Sequence, residues 1–149
     1  MRHIRSDMAT AHPCEPALGT AGMVGADRWP MQRNLVVLIT HGIDHELSSV
    51  AFTIANGGIT SGQKVSVFLT SAGVDLVRKR ASDTTHVQPL EPLAAMIQDF
   101  LKRGGSLWAC TPCVKARGYT QDDLIPGTVI TGASVMHELI LAGAATLSF

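Results

Sequence analysis

Apolar residues of this chain alternate between short continuous runs and helical stripes from residue 35 to the C-terminus. Leu35–Ile39 and Val65–Leu69 are continuously apolar or nearly so, and such runs are typical of strands covered on both faces. The same reasoning predicts three further strands, at residues 106–109, 128–131 and 145–149.

Helical patterns separate these runs. Asp44 is expected to cap a helix whose apolar stripe stops at Gly57 and Gly58. The clearest amphipathic helix begins after a proline and ends at Gly104. Two shorter helices are predicted at residues 74–80 and 133–142.

Strand–helix alternation of this kind predicts an α/β domain with a mainly parallel sheet and helices on both faces. In such sheets, functional groups gather outside the carboxyl ends of the strands. The loops expected at that edge are residues 40–44, 70–73 and 110–113. We therefore expect the functional site among these loops.

Residues 1–30 have neither strand nor helical periodicity and are rich in glycine and proline. They predict a flexible N-terminal extension, followed by the α/β domain over residues 31–149. Cys14 falls in this extension and is interpreted as an incidental exposed thiol.

The charge balance argues against a nucleic-acid partner, because 12 basic residues equal 12 acidic ones and leave no basic surplus. No apolar run approaches the roughly 18 residues needed to span a bilayer. The N-terminal residues contain no apolar core of the kind that signal peptides carry. We therefore expect a cytoplasmic protein that binds neither membrane nor nucleic acid.

The strongest chemical signal is the C-x-x-C sequence from Cys110 to Cys113, between a predicted strand and a short helix. Thr111 is expected to cap that helix, with Pro112 in its first position. The Cys110 sulfur would then lie above free backbone N–H groups, which favours the thiolate, the nucleophilic form.

Three interpretations of this pair stay open. Both cysteines are small core residues, or one is a nucleophile or sulfur carrier, or they bind zinc. For zinc, one C-x-x-C supplies only two of four ligands, and His41 is the one obvious neighbour. We predict no metal and no cofactor.

Other candidate residues lie in the neighbouring loops. His41 follows the first strand and is interpreted as a proton carrier, the alternative being a histidine hydrogen-bonded to backbone. Gly42 and Asp44 share its loop, and Asp44 is also the expected helix cap. Thr111 and Arg117 flank the thiols, and residues 71–73 form a glycine-containing turn suited weakly to anions.

The order and spacing of several segments resemble the DsrE/DsrF-like superfamily of small α/β proteins. The resemblance covers residues 31–149, and the segments that carry it are 40–44, 64–74, 109–118, 132–133 and 143–149. It implies a five-stranded, three-layer α/β/α fold that assembles into homotrimers or hexamers.

In sulfur-relay members of this superfamily, a single cysteine at the end of the third strand accepts a persulfide sulfur and passes it to a partner protein. Cys110 matches that position, and Arg117 with Gly118 matches the Arg-Gly that follows it. Small residues typically follow the cysteine in relay members, whereas Thr111, Pro112 and Cys113 follow it here.

Together these observations predict a homo-oligomer that handles sulfane sulfur, with a protein as sulfur donor or acceptor. Cys110 would carry the persulfide, Cys113 would exchange it, and His41 would assist proton transfer. The expected substrate-binding residues are Gly42, Asp44, Thr111 and Arg117. The alternatives are a thiol–disulfide oxidoreductase that uses both cysteines and a non-catalytic ligand-binding or assembly protein.

Overall fold

A five-stranded parallel sheet forms the centre of the structure, a computed structural model that describes residues 33–149. The predicted extension, residues 1–30, and its Cys14 lie outside the described residues. The spatial order of the strands is β4-β3-β2-β1-β5, with every pairing parallel. The strands are β1 (Leu35–Ile39), β2 (Val65–Leu69), β3 (Ser106–Cys110), β4 (Thr128–Thr131) and β5 (Ala145–Ser148).

Helices connect the strands and cover both faces of the sheet. They are α1 (Glu46–Thr60), α2 (Leu93–Lys102), α3 (Thr111–Ala116) and α4 (Ser134–Leu141), with short 3₁₀ helices at Ser71–Val77 and Gln121–Asp123. Gly58 of α1 lies directly above Leu35 and Val65, and α1 also packs against α2. On the opposite face of β1, Val36 and Leu38 line a cavity with residues of α4. The predicted three-layer α/β/α fold is therefore confirmed.

The main core lies under α1 and α2. Phe52 of α1 and Phe100 of α2 are both fully buried, and their rings meet edge to face with centroids 5.9 Å apart. Such an arrangement adds to the stabilisation from burial itself. By contrast, α4 contains no fully buried residue and β5 is exposed along its whole length.

Several predicted helix boundaries are wrong. His45, not Asp44, precedes α1, and its Nδ1 accepts a hydrogen bond from the N–H of Leu47 at 3.2 Å. The helix also continues through Gly57 and Gly58 to Thr60. A side chain at Gly58 would collide with the sheet, so the glycine allows close packing where we expected a helix end. The helix predicted at residues 74–80 is instead the 3₁₀ helix that begins at Ser71.

Candidate active site at the carboxyl edge of the sheet

The three loops expected at the carboxyl edge follow three neighbouring strands, β1, β2 and β3. Parallel strands end at the same edge, so their following residues form one surface. Residues 70–71 lie between the loop after β1 and the start of α3. On one side a methyl group added at Gly42 would lie 3.3 Å from Cβ of Ala72, and on the other the N–H of Ser71 donates to Sγ of Cys113.

Cys113 is the best-connected thiol of this surface. Its Sγ accepts a hydrogen bond from the backbone N–H of Ser71 at 3.2 Å, and it lies 3.4 Å from the hydroxyl oxygen of Thr70. Cys110 lies three residues earlier, at the N-cap of the same helix, and its thiol favours the ionised form of Cys113. Because Cys113 is only partly buried, it combines these contacts with access to solvent.

These contacts change the acidity of Cys113. The hydrogen bond from the Thr70 hydroxyl is the largest influence lowering its pKa below the ordinary thiol value, and burial opposes it. The Ser71 N–H, the Cys110 thiol and the positive charge of Arg117 lower the pKa further. Each of these groups stabilises the thiolate, which is the nucleophilic form.

Cys110 occupies a different environment. It is the last residue of β3, and it is 8% exposed. It takes the N-cap position of α3 itself, so the predicted Thr111 cap is wrong. Its side chain makes no capping hydrogen bond to the helix. The expected contact between the Cys110 sulfur and the N–H groups of the helix is therefore absent. Instead, the backbone N–H of Ser71, after β2, donates to the Cys113 sulfur. Both thiols are free.

Arg117 is held by an acidic partner. Its Nε lies 3.1 Å from one carboxylate oxygen of Asp75 and 3.3 Å from the other, while its Nη1 donates to the carbonyl oxygen of Cys113 at 3.3 Å. Tyr119 donates its hydroxyl to Asp75 at 2.9 Å. Burial, followed by this bond, raises the pKa of Tyr119. These contacts connect the end of α3 to the 3₁₀ helix Ser71–Val77, which contains Asp75.

His41 lies on the same edge but contacts neither thiol through a hydrogen bond within residues 33–149. Its ring centroid is 4.0 Å from that of His45, and its Nδ1 is enclosed without a hydrogen-bond partner in the described part of the chain. The Ser48 hydroxyl donates to the carbonyl oxygens of His41 and Gly42 at 3.0 and 2.7 Å. Asp44 is exposed.

Sequence reasoning missed the residues that hold Cys113 and Arg117 in place. Thr70 and Ser71 were covered only by a weak signal, the glycine-containing turn at 71–73. Asp75 had no signal, because nothing in the local sequence couples it to Arg117, 42 residues later.

Among residues 33–149, no group of three or more histidine, cysteine or acidic side chains is arranged to hold a metal ion. Over the same residues, no helix is long and apolar enough to cross a membrane.

The fold and site together define a three-layer α/β/α protein with a pair of free thiols at the carboxyl edge of a parallel sheet. Residues 33–149 match the DsrE/DsrF-like family, and the chain belongs to that family. The sequence-based resemblance is therefore confirmed.

Relatives in other organisms share the domain. The chain is 29% identical over 105 residues to the uncharacterized protein MK0008 of Methanopyrus kandleri, a match covering 70% of this chain and 81% of that protein. It is 29% identical over 107 residues to the uncharacterized protein MJ0989 of Methanocaldococcus jannaschii, covering 70% and 86% respectively.

Solved structures share the fold. The ychN protein from E. coli superposes with a TM-score of 0.65 at 18% identity, over 80% of this chain and all 100% of that one. The protein MTH1491 from Methanobacterium thermoautotrophicum gives a TM-score of 0.60 at 20% identity, over 78% and 99% of the two chains. At this level of identity the likeness concerns the fold alone.

Proposed function

We propose that this protein handles sulfane sulfur, with Cys110 as the persulfide-carrying residue and Cys113 as the exchanging thiol. The observation that carries the proposal is the pair of free thiols at the carboxyl edge, three residues apart at the start of α3, one buried and one partly accessible. Family membership supports it, because the position of Cys110 at the end of β3 is the carrier position that the resemblance implies.

The chemistry needs no external oxidant or reductant. A thiolate attacks the outer sulfur of a donor persulfide, R–S–SH, so that a new S–S bond forms on the cysteine as the S–S bond of the donor breaks. The donor leaves as the thiolate R–S⁻, and the cysteine now holds S–SH. Attack by an acceptor thiolate on that outer sulfur reverses the process and frees the cysteine. A persulfide on Cys110 would be shielded, since this residue is 8% exposed.

The remaining predicted site residues enter the proposal through their positions. His41 is the proposed proton carrier, supported by the enclosed Nδ1 that lacks a partner among the described residues. Gly42, Asp44 and Thr111 line the edge on which a sulfur donor would approach. Arg117 is engaged by Asp75, which favours a role in holding α3 rather than in binding the donor directly.

We also propose a cytoplasmic homo-oligomer, a trimer or hexamer, that exchanges sulfur with a protein partner. Support comes from large apolar side chains left exposed on the two edge strands of the sheet, β4 and β5, and at the end of α4. Val129 is 54% exposed, Leu147 42% and Leu141 88%. Edge strands present unpaired backbone groups that another chain can cover, and exposed apolar side chains on them favour such an interface. Light scattering coupled to size exclusion would show a single trimeric or hexameric species, and a monomer at micromolar concentration would contradict this part.

Intact-mass spectrometry tests the sulfur chemistry. The protein should be prepared with Cys14→Ser, which leaves only the two site thiols, and incubated with a low-molecular-weight alkyl persulfide. We expect a gain of one sulfur atom, assigned to Cys110 by peptide mapping at equilibrium. The matched variant that also carries Cys110→Ser and Cys113→Ser should gain none. An unchanged mass in the parent protein would refute the proposal.

A thiol–disulfide oxidoreductase is the second candidate, favoured by the position of two free thiols three residues apart at the start of one helix. In that reaction Cys110 and Cys113 give up two hydrogens to a substrate disulfide, which becomes two thiols as the pair becomes a disulfide. The same mass measurement distinguishes it, because the protein would lose two hydrogens on oxidation and gain no sulfur. A protein that neither gains sulfur nor loses two hydrogens in this measurement would be a non-catalytic binding protein.

A further inference from the structure

The two thiols of the site differ in how a donor can reach them. Cys110 is 8% exposed and lies at the end of a central strand, whereas Cys113 is only partly buried. A bulky donor persulfide must bring its outer sulfur into line with the attacking thiolate. Access therefore favours Cys113 for the first encounter, although the resemblance places the carrier at Cys110.

Cys113 also sits in a cradle, formed by the hydroxyl of Thr70 and the backbone N–H of Ser71, which lie 3.4 and 3.2 Å from its sulfur. Ser71 has a φ of 51°, a left-handed conformation that side chains other than glycine rarely adopt. Strained conformations of this kind persist where the surroundings require them, and they cluster at functional sites. Here the unusual backbone of Ser71 directs its N–H group at a thiol in the first turn of α3.

We infer that Cys113 is the thiol that receives sulfur from the donor, held for attack by Thr70 and Ser71, and that it then passes the sulfur to Cys110. The inference rests on the proposed function and adds the order of transfer to it. Sulfur would thus enter through the accessible cysteine of the pair and be stored on the shielded one.

Both steps balance. In the first, the Cys113 thiolate attacks the outer sulfur of R–S–SH, the S–S bond of the donor breaks, and R–S⁻ departs. In the second, the Cys110 thiol attacks the outer sulfur of the Cys113 persulfide, the S–S bond of that persulfide breaks, and Cys110–S–SH forms. The proton that the Cys110 thiol loses passes to the departing Cys113 sulfur, in the first turn of the helix that Cys110 caps.

The first experiment measures initial rates of sulfur uptake by rapid quenching and mass spectrometry, in protein carrying Cys14→Ser. The Cys110→Ser variant should still take up sulfur, and peptide mapping should find it retained on Cys113. In Cys113→Ser, uptake should fall about tenfold or more, because the accessible thiol with the lowered pKa is lost. A parental rate in Cys113→Ser would overturn the inference. Circular dichroism checks folding, and Cys110→Ala provides a second substitution at the buried position.

A second experiment reads the cradle without any persulfide. Alkylation of Cys113 by iodoacetamide is followed against pH by peptide mapping, in the protein with Cys14→Ser. Thr70→Val removes the hydroxyl at nearly constant shape and should move the profile upward by about one pH unit. Thr70→Ser keeps the hydroxyl and should leave the profile in place. A merely structural role of Thr70 would not separate these two variants.

The other groups that influence this profile stay in place in both variants. They are the backbone N–H of Ser71, the Cys110 thiol and the guanidinium of Arg117, which is paired with Asp75. An unchanged profile in Thr70→Val, or faster alkylation of Cys110 than of Cys113, would overturn the inference. If the parent protein takes up no sulfur at all, the proposed function fails, and the alkylation data alone then decide whether Cys113 is the reactive thiol.

Discussion

Gly73 offers a direct test of how the loop after β2 is held against β1. The position has no room for a side chain, because a methyl group there would overlap the carbonyl oxygen of Ile39 and lie 3.1 Å from its carbonyl carbon. The carbonyl oxygen of His41 would be 3.6 Å away. Gly73→Ala therefore forces two backbone segments apart by roughly 1 Å to restore normal van der Waals contact.

The size of the effect follows from two opposing contributions. Overpacking a tight site costs about 1–3 kcal/mol, and the upper half applies at Gly73 because the obstacle is backbone rather than a movable side chain. Alanine restricts the unfolded chain, which returns about 0.4–1 kcal/mol. We therefore expect Gly73→Ala to lower the free energy of unfolding by about 1–2.5 kcal/mol, which corresponds to roughly 1 M in the urea midpoint for a domain of this size.

Urea unfolding followed by circular dichroism measures this change, and Gly57→Ala is the matched control. Gly57 lies within α1, and a methyl group added there meets no atom within 4 Å. The same substitution should therefore stabilise the protein by about 0.5–1 kcal/mol through helix propensity. The two variants should move the midpoint in opposite directions. A midpoint for Gly73→Ala equal to or above the wild-type value would refute the packing argument.

Two further substitutions test the network and the core. Asp75→Asn keeps an acceptor for the Tyr119 hydroxyl but removes the charge that pairs with Arg117. Because the side chains of Arg117 and Asp75 are 30% and 29% exposed, we expect the free energy of unfolding in urea to fall by about 1 kcal/mol. A loss above about 3 kcal/mol would mean that the pair is far more important than its exposure indicates. Phe100→Ala removes a fully buried ring in contact with Phe52 and should cost about 3–5 kcal/mol by thermal or urea unfolding, whereas Phe100→Leu should cost clearly less. Equal losses in the two variants would contradict the assignment of the ring to the core.

The strands and their parallel arrangement were predictable from sequence because their signal is local. Runs such as Leu35–Ile39 and Val65–Leu69 are apolar on both faces, which only a covered strand satisfies. Helix ends were less predictable, since the choice between Asp44 and His45 as the cap depends on how the chain leaves β1. Likewise, Gly58 lies within a helix rather than ending it because the neighbouring sheet leaves no space for a side chain.

The sequence by itself identified the C-x-x-C pair and placed it at the carboxyl end of the third strand, because motif and strand are adjacent in the chain. It did not distinguish the roles of Cys110 and Cys113. That difference comes from Thr70 and Ser71, which are 43 and 42 residues away from Cys113 and reach it only because β2 and β3 are neighbours in the sheet. Hydrogen bonds between loops depend on strand order and register, and no local pattern records them. The thiol pair is thus a property of the sequence, and the unequal environment of its two members is a property of the tertiary structure.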